Sequence, residues 1–194
     1  MRYDSDHKER TRQRVLSEAA AAIRSVGPGG IGVARLMAKA GLTHGAFYAH
    51  FHSKDDLVAQ AIAQMFEESY QRFLARTDHP DPAVAMAKFI DSYLSTRHRD
   101  NPHLGCPLPS LSGELARLPG AARANFTAGL KRLTGSMAER IRQLGRADAD
   151  RLAASMIAEM VGALALSRAA AGTCESDAIL ETSRNSVKAR VGLQ

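Results

Sequence analysis

The chain has 194 residues, 45% of them hydrophobic and 24% charged, with two cysteines and no tryptophan. That is enough chain to bury a core as one domain or two small ones, and the balance is globular rather than disordered or disulfide-rich. The net charge of +6 is an N-terminal property: residues 1–54 hold nine Lys/Arg against four acids, and the remainder 17 against 16, as expected if that end meets a polyanion.

The first residues, MRYDSDHKERTRQR, carry no apolar stretch and are too charged for a secretory signal. The longest apolar run, residues 152–166, is interrupted by Glu159 and falls short of the roughly 18 residues of a membrane span. Cys106 and Cys174 are too distant in sequence to suggest a disulfide framework or a zinc ligand set. A cytoplasmic protein without membrane contact, metal or other cofactor is the expectation.

With 5% aromatics the core is built from Leu, Ala, Ile, Val and Met, which favours helices. The predicted class is all-α with about nine helices. Residues 8–25 form the first, with Val15, Leu16, Ala19, Ala20, Ile23 and Val26 on one stripe. It stops at the breakers Gly27-Pro28-Gly29-Gly30. A short second helix, 33–40, carries Val33, Leu36, Met37 and Ala40 inward, and Gly41 ends it in the position where a left-handed backbone is easiest. Thr43 caps a third, 44–51. Ser53 caps a fourth, 54–76, with Asp56 three residues on and Asp55 favourable to the helix dipole.

After His79-Pro80-Asp81-Pro82 a helix is expected over 82–97. A proline-rich loop through Cys106 and a short helix at 108–117 follow, then helices 120–144, 148–171 and 175–191. The helix at 148–171 is apolar on more than one side, so it must be buried on several faces. Paired with 175–191, it suits a four-helix interface between two copies of the chain.

The segment LTHGAFYAHFHSKDDL places three histidines, His44, His50 and His52, within nine positions. At about 100° per residue, Phe47 and Phe51 share the inward face, and His44 and Tyr48 sit together on one flank. His50 lies about 120° from His44, and His52 falls past the helix end. None of the three has the i, i+4 spacing of a helical metal pair, so a shared metal is not expected. Two short helices around the tight turn Ala40-Gly41-Leu42 form the helix-turn-helix pattern, whose second helix enters the major groove. Gly45 and Ala49 leave room for close backbone approach. His44, Tyr48 and His52 can donate to phosphates or base edges, and Lys54 adds a charge beside helix-terminal N–H groups.

The run from Gly41 to Leu57 satisfies G-[LV]-[ST]-x-G-x-[FL]-Y-x-[HY]-F-x-[SN]-K-x-x-L. With the preceding helix it resembles the DNA-binding signature of the TetR family of bacterial transcriptional regulators. The resemblance implies an all-helical homodimer with a helix-turn-helix domain over 1–53 and an effector-binding and dimerisation domain over 54–194. It implies a non-enzymatic repressor that a small molecule releases from double-stranded operator DNA, with Thr43, His44, Gly45, Tyr48, His50 and Lys54 at the positions that usually contact DNA. Gly32-Val33-Ala34 departs from the family, which has a capping Thr and a DNA-reaching Arg there. Arg2, Lys8, Arg10 and Arg12 are expected to supplement binding as an N-terminal arm.

The effector cavity is expected among inward residues of the central helices: Phe66, Tyr70, Ile90, Tyr93, Cys106, Leu111, Phe126, Leu130, Met137, Met156 and Met160. No charged residue in that set points to a ligand class. HLGCPLPSLSGELA is similar to a Gly-Cys segment in a family branch that includes electrophile- and oxidant-sensing regulators. An alternative reading therefore makes Cys106 a sensing thiolate, favoured by a following helix N-terminus and by Arg97 and Arg99. A helical partner-binding protein without DNA function is the rival from another class.

Overall fold

A computed structural model describes the backbone of residues 2–193, and the side chains of residues 6–193 apart from Leu115. Those residues form nine α-helices joined by short 3₁₀ turns and loops, with no strand among them. The helices are α1 (Arg2–Val26), α2 (Val33–Lys39), α3 (Lys54–Arg76), α4 (Pro82–Tyr93), α5 (Thr96–Asp100), α6 (Leu108–Leu111), α7 (Gly120–Gln143), α8 (Ala149–Ala169) and α9 (Cys174–Arg190).

The helix ends follow the expected chemistry. Gly41 has φ of +71°, the left-handed conformation that stops α2 and starts the turn. The Asp56 backbone N–H donates to Ser53 Oγ at 3.0 Å, capping α3. The Asp56 carboxylate accepts from the His52 backbone N–H at 3.0 Å, one residue earlier than a standard capping box.

Several expectations need correction. α1 begins at Arg2, so the basic N-terminal residues form its first turns rather than an extended arm; the Arg2 side chain lies outside the described residues. Val26, assigned to the inward stripe, is 63% exposed at the end of α1. Residues His44–Ala49 wind as a 3₁₀ helix, with Ala46 and His50 N–H groups bonded three residues back. The Phe51 N–H closes a single α-type turn on Phe47 O. Thr43 starts this helix without a side-chain cap. The helix expected over 82–97 is two. The chain leaves helical geometry at Leu94, and Ser95 caps α5 by accepting from the His98 N–H. The helix expected at 108–117 is the single turn α6 and a 3₁₀ turn at Leu115–Arg117.

α3 packs along α7, α7 on α8 and α8 on α9, while α1 lies against α3 and reaches the 102–104 turn and α6. One contiguous hydrophobic core runs from Val15 in α1 to Leu193. The α3–α7 approach is close because position 129 lacks a side chain: a Cβ on Gly129 would stand 2.1 Å from Phe66 Cγ. The Phe66 ring meets Phe126 edge-on, with centroids 5.4 Å apart. α8, apolar enough by length and composition to pass as a membrane span, lies in this bundle between α7 and α9.

Candidate nucleic-acid interface and effector cavity

At the N-terminal end, Phe47 and Phe51 are 2% and 1% exposed and stack with centroids 5.6 Å apart. They bolt the 44–49 helix to the core and fix which residues are left outside. Thr43, His44, Gly45, Tyr48 and Lys54 are all exposed, and Tyr48 is 69% so. The His44 and Tyr48 rings meet edge-on at 6.5 Å, so they share one flank, and Lys54, also exposed, opens α3.

His50 is half-buried, with Nδ1 enclosed and unpartnered. Burial first, then the charges of Lys8 and Arg12, lower its pKa and keep the ring neutral. Arg12 is structural: its guanidinium lies 5.6 Å over the Phe51 ring and donates to Gln60. Lys8 and Arg10 remain exposed on α1, and Ala34 and Arg35 are exposed on α2. Among the described residues no group of three His, Cys, Asp or Glu is placed to hold a metal ion.

A second site lies within the bundle, where α3, α4, α5, α7 and α8 enclose a cavity of about 620 Å³. Tyr93, Cys106, Met137 and Met160 line it. Phe126 and Leu130 instead line a shallower apolar groove of about 380 Å³ between α7 and α8. Phe66, Ile90, Leu111 and Met156 are buried core, and Tyr70 lies under the Arg132 guanidinium at 3.5 Å; none of these five lines either hollow. The sequence pattern pointed to Arg97 only as a charge near Cys106 and not to the rest of the polar lining, Arg72 and Arg76 from α3 and His98 from α5. Arg72 and Arg76 share the lining with Arg97 and His98 because the chain breaks at Leu94 and re-enters helix at Thr96.

The inner end of the cavity is a tight polar network. The Cys106 backbone N–H donates to His98 Nε2 at 3.0 Å, so the proton sits on Nδ1, which donates to the Tyr93 carbonyl at 2.8 Å. Burial pushes the His98 pKa down to about 4. Arg168 Nη2 donates to the His98 carbonyl at 2.9 Å, and Arg72 Nη2 donates to the Gly105 carbonyl at 3.2 Å and to Ser69 Oγ at 2.9 Å. Cys106 is buried, and that burial raises its thiol pKa. The next helix, α6, is one turn long, too short to offset this, so the thiol is held protonated.

Residues 15–61 match the family model of bacterial regulatory proteins, tetR family. No curated protein matches the chain significantly. Among solved structures the chain is similar to a TetR transcriptional regulator from Chloroflexus aurantiacus J-10-FL, with 26% identity over 97% of this chain and 98% of the other, and a TM-score of 0.83. Its fold is also similar to the reduced form of Escherichia coli NemR (18% identity, 92% and 96% covered, TM-score 0.80). A TetR regulator from Legionella pneumophila is alike to the same degree (18%, 91% and 95%, TM-score 0.80). Residues 15–61 thus carry the DNA-binding domain of the tetR family of bacterial regulatory proteins, on a chain that shares the all-helical fold of TetR-family regulators throughout.

Proposed function

We propose that the chain is a homodimeric repressor, with residues 1–53 as the reading head and 54–194 as the effector-binding and dimerisation part, working on operator DNA in the cytoplasm. The observation that carries this reading is the flank left outside by the Phe47–Phe51 bolt: exposed Thr43, His44, Gly45 and Tyr48, with Lys54 at the start of α3. A tyrosine 69% exposed on a rigid turn contributes nothing to the core and suits a phosphate or base-edge contact. His50, neutral and half-buried, acts there by packing rather than by charge. This is a binding role and not a catalytic one.

Dimerisation through α8 and α9 is supported by the outward face of α8. Ala154 and Ala158 are exposed, Gly162 is half-buried, and Leu166 is 61% exposed, a surface on which a second helix can approach closely. Two heads carried by such a dimer would meet half-sites about one helical turn, or a multiple, apart. The effector site is the cavity behind Tyr93 and His98; an occupant there would change head spacing and lower operator affinity. The buried, protonated Cys106 thiol favours a non-covalent effector over electrophile sensing.

The test is salt-dependent binding of the purified protein to a mixed-sequence duplex spanning two half-sites. Log affinity should fall steeply with log salt, and Lys54→Ala should flatten the slope by about 1 per subunit. Absence of salt-sensitive duplex binding at low ionic strength would overturn the regulator reading in favour of a partner-binding bundle.

A further inference from the structure

The cavity chemistry is uneven. One wall is apolar: Phe73 and Phe89 meet edge-on with centroids 4.9 Å apart, facing Leu133, Met137 and Met160. The other carries three guanidiniums, Arg72, Arg76 and Arg97, and no acid lines the cavity at all. Elsewhere on the bundle arginines find carboxylates: Arg24 with Glu68, Arg132 with Glu67, Arg142 with Asp150 and Arg190 with Glu159. None of the three cavity arginines enters an ion pair among the described residues. Arg72 has only Ser69 Oγ and the Gly105 carbonyl, and Arg76 only Ser92 Oγ.

All three residues are solvent-exposed as they line the cavity, so their guanidiniums are open to an incoming anion. Desolvation first, then the Arg24 charge, already lowers the Arg72 pKa. Deeper in, the Tyr93 hydroxyl is buried against the Cys106 thiol. His98 cannot serve as a donor into the cavity, since Nδ1 donates to the Tyr93 carbonyl and Nε2 accepts from the Cys106 N–H.

The geometry points to an amphipathic organic anion as the ligand of this cavity: an aromatic or alkyl body against Phe73, Phe89 and Met137, and a carboxylate- or sulfonate-type head on Arg72, Arg76 and Arg97. This rests on the reading of the cavity as the effector site of a regulator. A volume of about 620 Å³ suits a small organic molecule of that kind. A cation would find no acid, and a neutral molecule would leave all three guanidiniums uncompensated.

The test compares two fluorescent probes on the full-length protein: anilinonaphthalene sulfonate and phenylnaphthylamine, which has the same rings without the charge. The sulfonate should bind saturably, one per subunit, about tenfold or more tighter than the neutral probe. Decanoate should displace it and decanol should not. Arg76→Gln and Arg97→Gln, which break no backbone contact, should each weaken the sulfonate several-fold and leave the neutral probe within about twofold. Arg72→Gln should do so more strongly. Equal affinity for both probes, no saturable binding of either, or arginine variants that weaken both alike would each overturn the proposal. Duplex binding is measured on the same samples. Its loss sinks the regulator reading and leaves anion selectivity standing, whereas unselective probe binding beside intact duplex binding sinks only the anion proposal.

Discussion

His98 is a titration switch with a calculable cost. In the fold its pKa sits at about 4: burial is the main cause, the nearby charges of Arg168, Arg72 and Arg76 add to it, and the Tyr93 carbonyl opposes. In the unfolded chain a histidine titrates near 6.5. A depressed folded pKa means the stabilisation is fully present above pH 6.5 and is lost as pH falls toward about 4. The loss from this group is about 2 kcal/mol by about pH 5 and about 3 kcal/mol near pH 4. Protonation also removes the Nε2 acceptor of the Cys106 N–H, so the network opens where the cavity wall is made. The assay is urea unfolding at fixed protein concentration at about pH 7, 6 and 5, for wild type and His98→Gln. The glutamine keeps an acceptor and a donor but does not titrate. Between pH 7 and 5 wild type should lose about 2 kcal/mol more than the variant, whatever the variant's starting stability. Parallel pH profiles would refute a neutral, buried His98.

Thiol chemistry should favour the exposed cysteine. A maleimide should label Cys174 in the native protein and reach Cys106 only on unfolding, and Cys106→Ser should respond to a mild electrophile as wild type does in duplex binding; selective loss of the response in the serine variant would restore the sensing reading. Gly129→Ala puts a Cβ 2.1 Å from Phe66 Cγ, and the ring is also held edge-on by Phe126, so about 1–3 kcal/mol of stability should be lost in thermal or urea melts. An unchanged melt would mean that the Phe66 ring has room to turn.

The reading head was legible because its information is local. The stop at Gly41, the cap at Ser53 and the phenylalanines four apart each act within one turn of chain, and together they decide that Tyr48 faces out. The winding of 44–49 was less legible. A segment this short, held at both ends, closes with three-residue bonds that the apolar spacing does not encode. The cavity was least legible because it is a product of tertiary packing. Phe66 and Met156 carry the same inward apolar signal as Met137 and Met160, yet Gly129 lets the Phe66 ring fill its space, while Met137 and Met160 border a void. Arg72 and Arg76 stay exposed on α3 and join a cavity lining only because the break at Leu94 sets Arg97 and His98 of α5 in the same lining.

That break also changes the route from cavity to head. Helix α3 is shared by both, but it is not the only link. Arg24, in the last turn of α1, is buried: its Nη2 donates to Glu68 Oε2 at 2.5 Å, and its Nη1 reaches the His103 carbonyl at 3.5 Å. Ser110 Oγ donates to the Arg24 carbonyl at 2.8 Å. The first helix of the head is therefore clamped between α3 and the loop that walls the cavity through Leu104, Gly105 and Cys106. Magnitudes decide which side of the clamp yields. Breaking the Arg24–Glu68 pair leaves a buried charge uncompensated, at a cost of about 3 kcal/mol or more, which meets or exceeds the 1–3 kcal/mol typical of effector coupling. The Arg24–His103 bond is at the limit of hydrogen-bond length and weak. An anion that drew Arg72 off the Gly105 carbonyl would act two residues from His103, on the weaker side of this clamp.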